Sequence, residues 1–390
     1  MTGFRARIDY ILKHNTFMQK VFLSSASLAL KALGLFVRTD KKMILFSGQS
    51  RKFNDSPRYI YEYIKSHREF DDYKCVWVLE KTDSTEIEGC EIVKADTFKY
   101  FITTLKAKYW VTCVNIERGL RYKKRSTVYL NTWHGIPIKT IGNDAKGRKD
   151  YNFSHIDYFC VSGEYEKEIY QRAFLLPSTH LIETGMPRND SLYRTSQSEI
   201  EEIKKRLGLP LDKKIILYAP TWRDSKDGGR SYEIKPPINM SLWEEQLKNE
   251  YVFLLRTHPY TNKLMGVSFN DFVRDFSGYH SINDLMKVSD ILVSDYSATI
   301  FDYSILERPI ICFAYDYEEY KKERGLVMSL EDEMPGGVDF SERDVLKRIL
   351  NMDYDGECEL VKKFKNKYIV YGGSATKKCV EALFKENVRK

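Results

Sequence analysis

Two histidines in this sequence each follow a short apolar run and stand where a strand must stop. His134 lies in NTWHGIPIKTIGND (131–144), where Trp133, His134 and Gly135 follow a strand-like run at once. Gly135 and Pro137 supply the turn. A neutral imidazole on such a turn can take a proton from a hydroxyl nucleophile; the plainer reading is a histidine that hydrogen-bonds a strand end. His258 lies in LLRTHP (254–259), two residues after Arg256, so both face one side of an extended strand. An arginine and a histidine at one strand end can neutralise a diphosphate; a chance basic pair is the alternative.

Two further stretches carry anion chemistry. In LYAPTWRD (217–224), Thr221 and Arg223 follow Pro220. An arginine beside a hydroxyl and free backbone N–H groups suits a phosphate, against the reading of a surface loop arginine. In DILVSDYSATIFDYSIL (290–306), a strand ends near Ser294 and a helix begins near Ala298. Ser297 is the expected N-cap, Thr299 falls in the first turn and Asp302 continues the helix. A helix start rich in free N–H groups and hydroxyls binds anions, and ordinary capping is the competing account.

These stretches need a scaffold. The chain has 390 residues, which predicts two domains. Met43–Ser47, Cys75–Leu79, Tyr109–Cys113, Val128–Thr132 and Asp157–Ser162 read as strands. Pro57–His67 and Phe98–Lys106 read as helices between them. The pattern restarts with a helix at Glu199–Leu207. Strands at Ile215–Ala219, Tyr251–Arg256, Ile291–Ser294 and Pro309–Ala314 follow, with helices at Leu242–Asn249, Asn283–Val288 and Ala298–Glu307. Such alternation predicts two consecutive parallel, doubly wound sheets facing a cleft, with ligands at the C-terminal strand ends. The divisions are 1–42, 43–190 and 191–390, with a linker near 188–200 and a helical, charged end.

Composition narrows the function further. No GxGxxG and no Walker loop occurs, which removes the usual support for a dinucleotide or P-loop site. The one DxD triplet, Asp353-Tyr354-Asp355, lies in the charged end and outside these four stretches, so neither a metal nor a cofactor is expected. The seven scattered cysteines form no CxxC pair and read as reduced thiols. Of the net charge of +7, residues 1–42 hold +6, with eight Lys or Arg against Asp9 and Asp40. That is a basic end and not a nucleic-acid-binding body. Within it Val21–Val37 is an apolar run broken by Lys31. It predicts an amphipathic helix at a membrane surface, with a helix packed on the body and a true span as alternatives.

Taken together, WHGIPIKTIGND, YAPTWRD, RTHP and SDYSATIFDYSIL resemble the CDP-glycerol glycerophosphotransferase family of teichoic acid synthesis, and GMPRNDSL (185–192) resembles its interdomain stretch. The resemblance covers residues 43 to 375. It implies a GT-B architecture, a CDP-glycerol or CDP-ribitol donor, and an undecaprenyl-diphosphate-linked saccharide acceptor reached from the cytoplasmic face of the membrane. It implies catalytic roles for His134 and His258. It implies donor contacts at Thr221, Arg223, Arg256, Asp295, Ser297, Thr299 and Asp302, and acceptor or loop roles for Trp133, Gly135, Lys139 and Asp144. Two departures stand out: Ile136 replaces a hydroxyl residue of the family's usual WHGTPLK, and Ala298 replaces the second serine of its usual SDYSS. A nucleotide-sugar glycosyltransferase of the same architecture and a non-enzymatic membrane scaffold are the rival readings. CMP release separates the first rival, and nucleotide binding the second.

Overall fold

The computed structural model describes residues 16–82, 87–147, 150–221, 223, 237–257 and 267–385. The first half is built on seven strands: β1 (Asp40–Ser47), β2 (Lys74–Leu79), β3 (Glu91–Lys94), β4 (Ala107–Thr112), β5 (Val128–Asn131), β6 (Tyr158–Val161) and β7 (Leu181–Glu183). They lie in the order β3-β2-β1-β4-β5-β6-β7, and every pairing is parallel. The second half has β8 (Lys214–Tyr218), β9 (Tyr251–Leu255), β10 (Val273–Asp275), β11 (Ile291–Ser294), β12 (Ile310–Phe313) and β13 (Val338–Asp339). Their order, β10-β9-β8-β11-β12-β13, repeats that of the first half and is again all parallel. In each sheet the order reverses between two central strands, β1 and β4 or β8 and β11. Loops diverge there and leave a crevice.

The central strands are continuous apolar runs because helices cover both faces of a parallel sheet. Ile44, Leu45 and Phe46 of β1, and Ile291, Leu292 and Val293 of β11, are fully buried. The nine strands expected from the sequence all form, within three residues at each end. The four that the pattern did not announce, β3, β7, β10 and β13, are the four edge strands. They have two to four residues and are only partly buried, so no apolar run marks them.

The helix Thr16–Phe36 turns Leu23, Ala26, Leu30 and Leu33 onto the core of the first sheet. The backbone N–H of Arg121 donates to its Ser27 Oγ at 3.0 Å. Its other side leaves Phe17, Leu28, Leu35 and Phe36 between 69% and 86% exposed. Among the described residues no helix is long and apolar enough to cross a membrane.

Among the described residues the chain crosses between the halves twice. The first crossing is 185–196. In the second, the helix Tyr354–Tyr368 packs on the second half through Val361 and Phe364, and the chain then returns. Its last helix, Ala375–Leu383, buries Cys379, Val380 and Leu383 against Ile44, Phe46 and Leu130 of the first sheet. The sequence-based division at 191–390 left this helix with the second half; its apolar face belongs to the first. The crossings touch each other. Asp190 accepts the N–H groups of Ala375 and Thr376 at 2.8 Å each, and Arg194 donates to the Gly373 carbonyl at 2.7 Å.

Candidate functional site

A cavity of about 680 Å³ lies between the C-terminal strand ends of the two sheets. His134, Arg256, Thr221, Ser297 and Thr299 all line it, so residues distant in the sequence meet in one place.

On the first half, β5 ends at Asn131, whose Oδ1 accepts the Trp133 N–H at 2.8 Å. Trp133 then takes the left-handed conformation, with φ of 54°. Its ring is held in an aromatic bed, 4.7 Å from Phe174 and 6.0 Å from Phe159 between centroids. This packing offsets the strain of a non-glycine residue at positive φ. The turn aims His134 into the cleft. The His134 Nδ1–H donates to the Cys113 carbonyl at 2.8 Å, since a carbonyl can only accept. In the neutral ring Nε2 is therefore the basic nitrogen. Burial pushes the imidazole pKa below its ordinary value; the Cys113 carbonyl and Asp55 oppose this, while Arg188 and Lys139 reinforce it. His134 is thus neutral at physiological pH, a form in which Nε2 can accept a proton.

Gly135 follows with φ of 144°, where a Cβ would stand 2.5 Å from the Cβ of Ala298. The two halves touch at this point, so glycine on one side faces the smallest side chain on the other. This is the setting of the Ala298 departure. Ile136 is 2% exposed and packs in the core of the second half, which accounts for an apolar residue there. Beyond it the chain pairs with the second half: Val327 N–H donates to the Ile138 carbonyl at 2.9 Å, Thr140 N–H donates to the Gly325 carbonyl at 3.1 Å, and Lys139 bridges Leu326 in antiparallel fashion.

On the second half, Arg256 follows β9 and donates through Nη1 to the carbonyls of Phe276 and Tyr279 at 3.1 and 2.6 Å. Burial lowers its pKa, and among the described residues no carboxylate pairs with it. A partly desolvated guanidinium that lines a cleft can receive an anion. Ser297 Oγ donates to Thr299 Oγ1 at 2.9 Å and accepts the Thr299 N–H at 3.2 Å. The helix it opens is Thr299–Ser304, with Ala298 and not Ser297 at its N-cap. The Thr221 Oγ1 is buried without a hydrogen-bond partner among the described residues.

Several expected site residues hold the scaffold instead. The Arg223 guanidinium is not free for a phosphate. It forms two bonds to Asp316, at 2.7 and 2.9 Å, pairs with Asp295 at 2.9 Å, and lies over the rings of Tyr296 and Tyr320. Asp295 accepts the backbone N–H groups of Thr221 and Tyr296, at 2.7 and 2.6 Å. Neither residue lines the cavity; together they shape the wall behind Thr221. Asp144 pairs with Arg172 at 2.8 Å, away from the cleft. Asp302 lines the cleft, yet both its oxygens are engaged, by Arg188 at 2.7 Å and Asn189 at 2.6 Å. His258 lies outside the described residues.

The sequence reading missed Arg188 and Asp55. Arg188 is 9% exposed and bonds Asp55 of the first half at 2.9 Å while it bonds Asp302 of the second. Burial opposes its charge, but Asp302 and Asp55 hold it protonated, above the usual arginine range. Asp55 lines the cleft and contributes to the field at His134. The stretch GMPRNDSL was the available signal: Arg188 fastens Asp55 and, with Asn189, Asp302, while Asp190 fastens the start of the last helix.

Comparison with known proteins agrees with this geometry. The chain is 31% identical to the teichoic acid poly(glycerol phosphate) polymerase of Bacillus spizizenii, over 96% of its own length and 98% of the relative's. It is 34% identical to the corresponding polymerase of Staphylococcus epidermidis over 83% of its length, but spans only 48% of that longer protein. A single-histidine variant of the wall teichoic acid polymerase TagF, soaked with CDPG, superposes with a TM-score of 0.82 at 28% identity, covering 96% of this chain and 98% of that one. Residues 29–385 match the profile of the CDP-glycerol:poly(glycerophosphate) glycerophosphotransferases, and the chain belongs to that family.

Proposed function

We propose that this chain transfers glycerol phosphate from CDP-glycerol to a hydroxyl of a lipid-linked saccharide acceptor and releases CMP. The observation that carries the reading is His134, its Nδ1–H fixed on the Cys113 carbonyl, in one cavity with the anion-receiving Arg256, Ser297 and Thr299. The family and the CDPG soak of the related polymerase support the donor. In this reading the two sheets form a GT-B-like pair, with the diphosphate held by the second half. The acceptor hydroxyl gives its proton to His134 Nε2 as its oxygen attacks the phosphorus that bears the glycerol. The bond from that phosphorus to the CMP oxygen breaks, and CMP leaves with the electron pair. Arg256 stabilises the charge that develops on it. His258 is the second group that we assign to the leaving CMP.

CDP-ribitol is the alternative donor of the same class. The exposed apolar side of Thr16–Phe36 and the basic residues around it support peripheral attachment to the cytoplasmic face of the membrane. The test is incubation with a panel of CDP-polyols and a short lipid-linked disaccharide, with product masses and released nucleotide measured. An acceptor heavier by one or more glycerol phosphates, with matching CMP, is expected. No CMP from any CDP-polyol would overturn the reading.

A further inference from the structure

A second cavity, of about 480 Å³, opens at the same edge of the first sheet. Arg51, Glu80, Lys94, Asp96, Val114 and Arg118 line it, from the ends of β1 to β4. Most of these side chains are exposed, but Arg51 is only 7% exposed. Its Nη1 donates to Ser47 Oγ and its Nη2 to the Asn115 carbonyl, at 2.9 Å each, and both partners are neutral. Among the described residues no carboxylate lies within ion-pair distance of Arg51. The nearby Asp96 is taken by Arg118 at 3.2 Å. A buried guanidinium with only neutral partners is completed by an anion.

The backbone around the cavity gives an independent indication. Ser50, Arg51, Asp96 and Arg118 all have φ between 52° and 60°. Residues with a Cβ adopt this conformation at a cost, and such residues cluster at ligand sites. One loop joins this cavity to the main cleft. The Cys113 carbonyl accepts from His134, the Asn115 carbonyl accepts from Arg51, and Val114 between them lines the second cavity. Gln49 lines the main cleft and Arg51 the second, two residues apart.

We propose that the second cavity is an acceptor subsite that takes a phosphate group of the acceptor while the acceptor's hydroxyl lies at His134. The proposal rests on the glycerol-phosphate transfer reading above. The phosphate can come from the lipid diphosphate or from a polyol phosphodiester already on the acceptor, and both present the same chemistry to Arg51.

The test uses the full chain with three acceptors: a lipid-diphosphate-linked disaccharide, a water-soluble glycoside bearing one glycerol phosphate, and the same glycoside without phosphate. The variants are Arg51→Gln, Arg51→Lys and the double change Lys94→Ala with Arg118→Ala, whose two exposed sites leave the core untouched. We expect kcat/KM for a phosphate-bearing acceptor, relative to the phosphate-free one, to fall about tenfold in Arg51→Gln and in the double variant, the worth of one charge-assisted hydrogen bond. Arg51→Lys should recover part of it, and the Kd for CDP-glycerol should stay within twofold. The phosphate-bearing acceptor that loses its advantage identifies the source. Equal losses with all three acceptors, or no loss, would overturn the proposal. Calorimetry with glycerol phosphate under saturating CMP reads the cavity without turnover. Binding that Arg51→Gln abolishes supports it even if the transfer reading fails; no binding to the wild-type chain counts against it.

Discussion

At the scale of single residues the site depends on one hydrogen bond. The Cys113 carbonyl fixes the tautomer of His134. We expect His134→Ala to lower kcat by a factor on the order of 10² to 10⁴, with the circular dichroism spectrum unchanged. An unaltered rate in a folded variant would remove His134 as the base. Burial depresses the imidazole pKa, so the acidic limb of the kcat/KM profile is expected below pH 6.5. The sign for stability is the same. The unfolded chain protonates this histidine as pH falls through about 6.5, while the folded one resists until lower pH. The contribution is complete above that value and is lost as pH drops towards the folded pKa. On the opposite wall, Arg256→Ala and Ser297→Ala should each weaken CDP-glycerol binding, measured by calorimetry. The arginine should cost more, about 1.5 to 3 kcal/mol, because it loses a charged hydrogen bond. Intact affinity in both would move the donor site elsewhere. The clustering of His134, Arg256, Ser297 and Thr299 was legible in the sequence, because each follows a strand and strand ends share one edge. What Arg223 and Asp295 do was not. A basic or acidic residue after a strand looks the same whether it faces a ligand or a partner such as Asp316, 93 positions beyond Arg223.

At the scale of elements, the turn at Gly135 and the helix start at Ala298 fit each other only because both residues are small. Gly135→Ala combines a strained φ with a clash against the second half. Overpacking of this kind costs about 1–3 kcal/mol. Activity should fall at least tenfold while secondary structure persists; full activity would mean that the contact gives way freely. The N-terminal helix was readable as apolar and cationic, but not as serving two masters, one face on the core and one exposed. Deleting residues 1–38 should leave CDP-glycerol affinity intact and release the protein from anionic vesicles, since each basic residue near such a surface adds about 1 kcal/mol. Transfer to a lipid-linked acceptor should then fall far more than transfer to a soluble analogue. A truncated protein that still sediments with vesicles would make the helix purely structural. The edge strands escaped notice for a related reason: two to four half-buried residues leave too little pattern to read.

At the scale of the whole molecule, Arg188 joins the halves through Asp55 and Asp302. Removing one partner of a buried pair leaves uncompensated charge, at about 3–5 kcal/mol. Arg188→Ala should therefore shift the denaturant midpoint strongly, and Arg188→Lys only partly restore it, because a lysine lacks the fork that spans two carboxylates. A shift below about 1 kcal/mol would show that the pairs carry little weight. The division of the chain into two sheets was plain from alternation alone. The return of the last helix to the first sheet was not, since an amphipathic helix does not name the surface it will cover.

That return has a mechanical meaning. A body held by one strand of chain can swing and twist in any direction. Here two passes run side by side and are joined to each other through Asp190 and Arg194. Two joined passes resist twist between the halves more than one pass would. Any swing that parts the walls must separate Gly135 from Ala298 and unzip residues 138–140 from 325–327. Those contacts hold the wall that bears His134 in one alignment against the wall that bears Arg256.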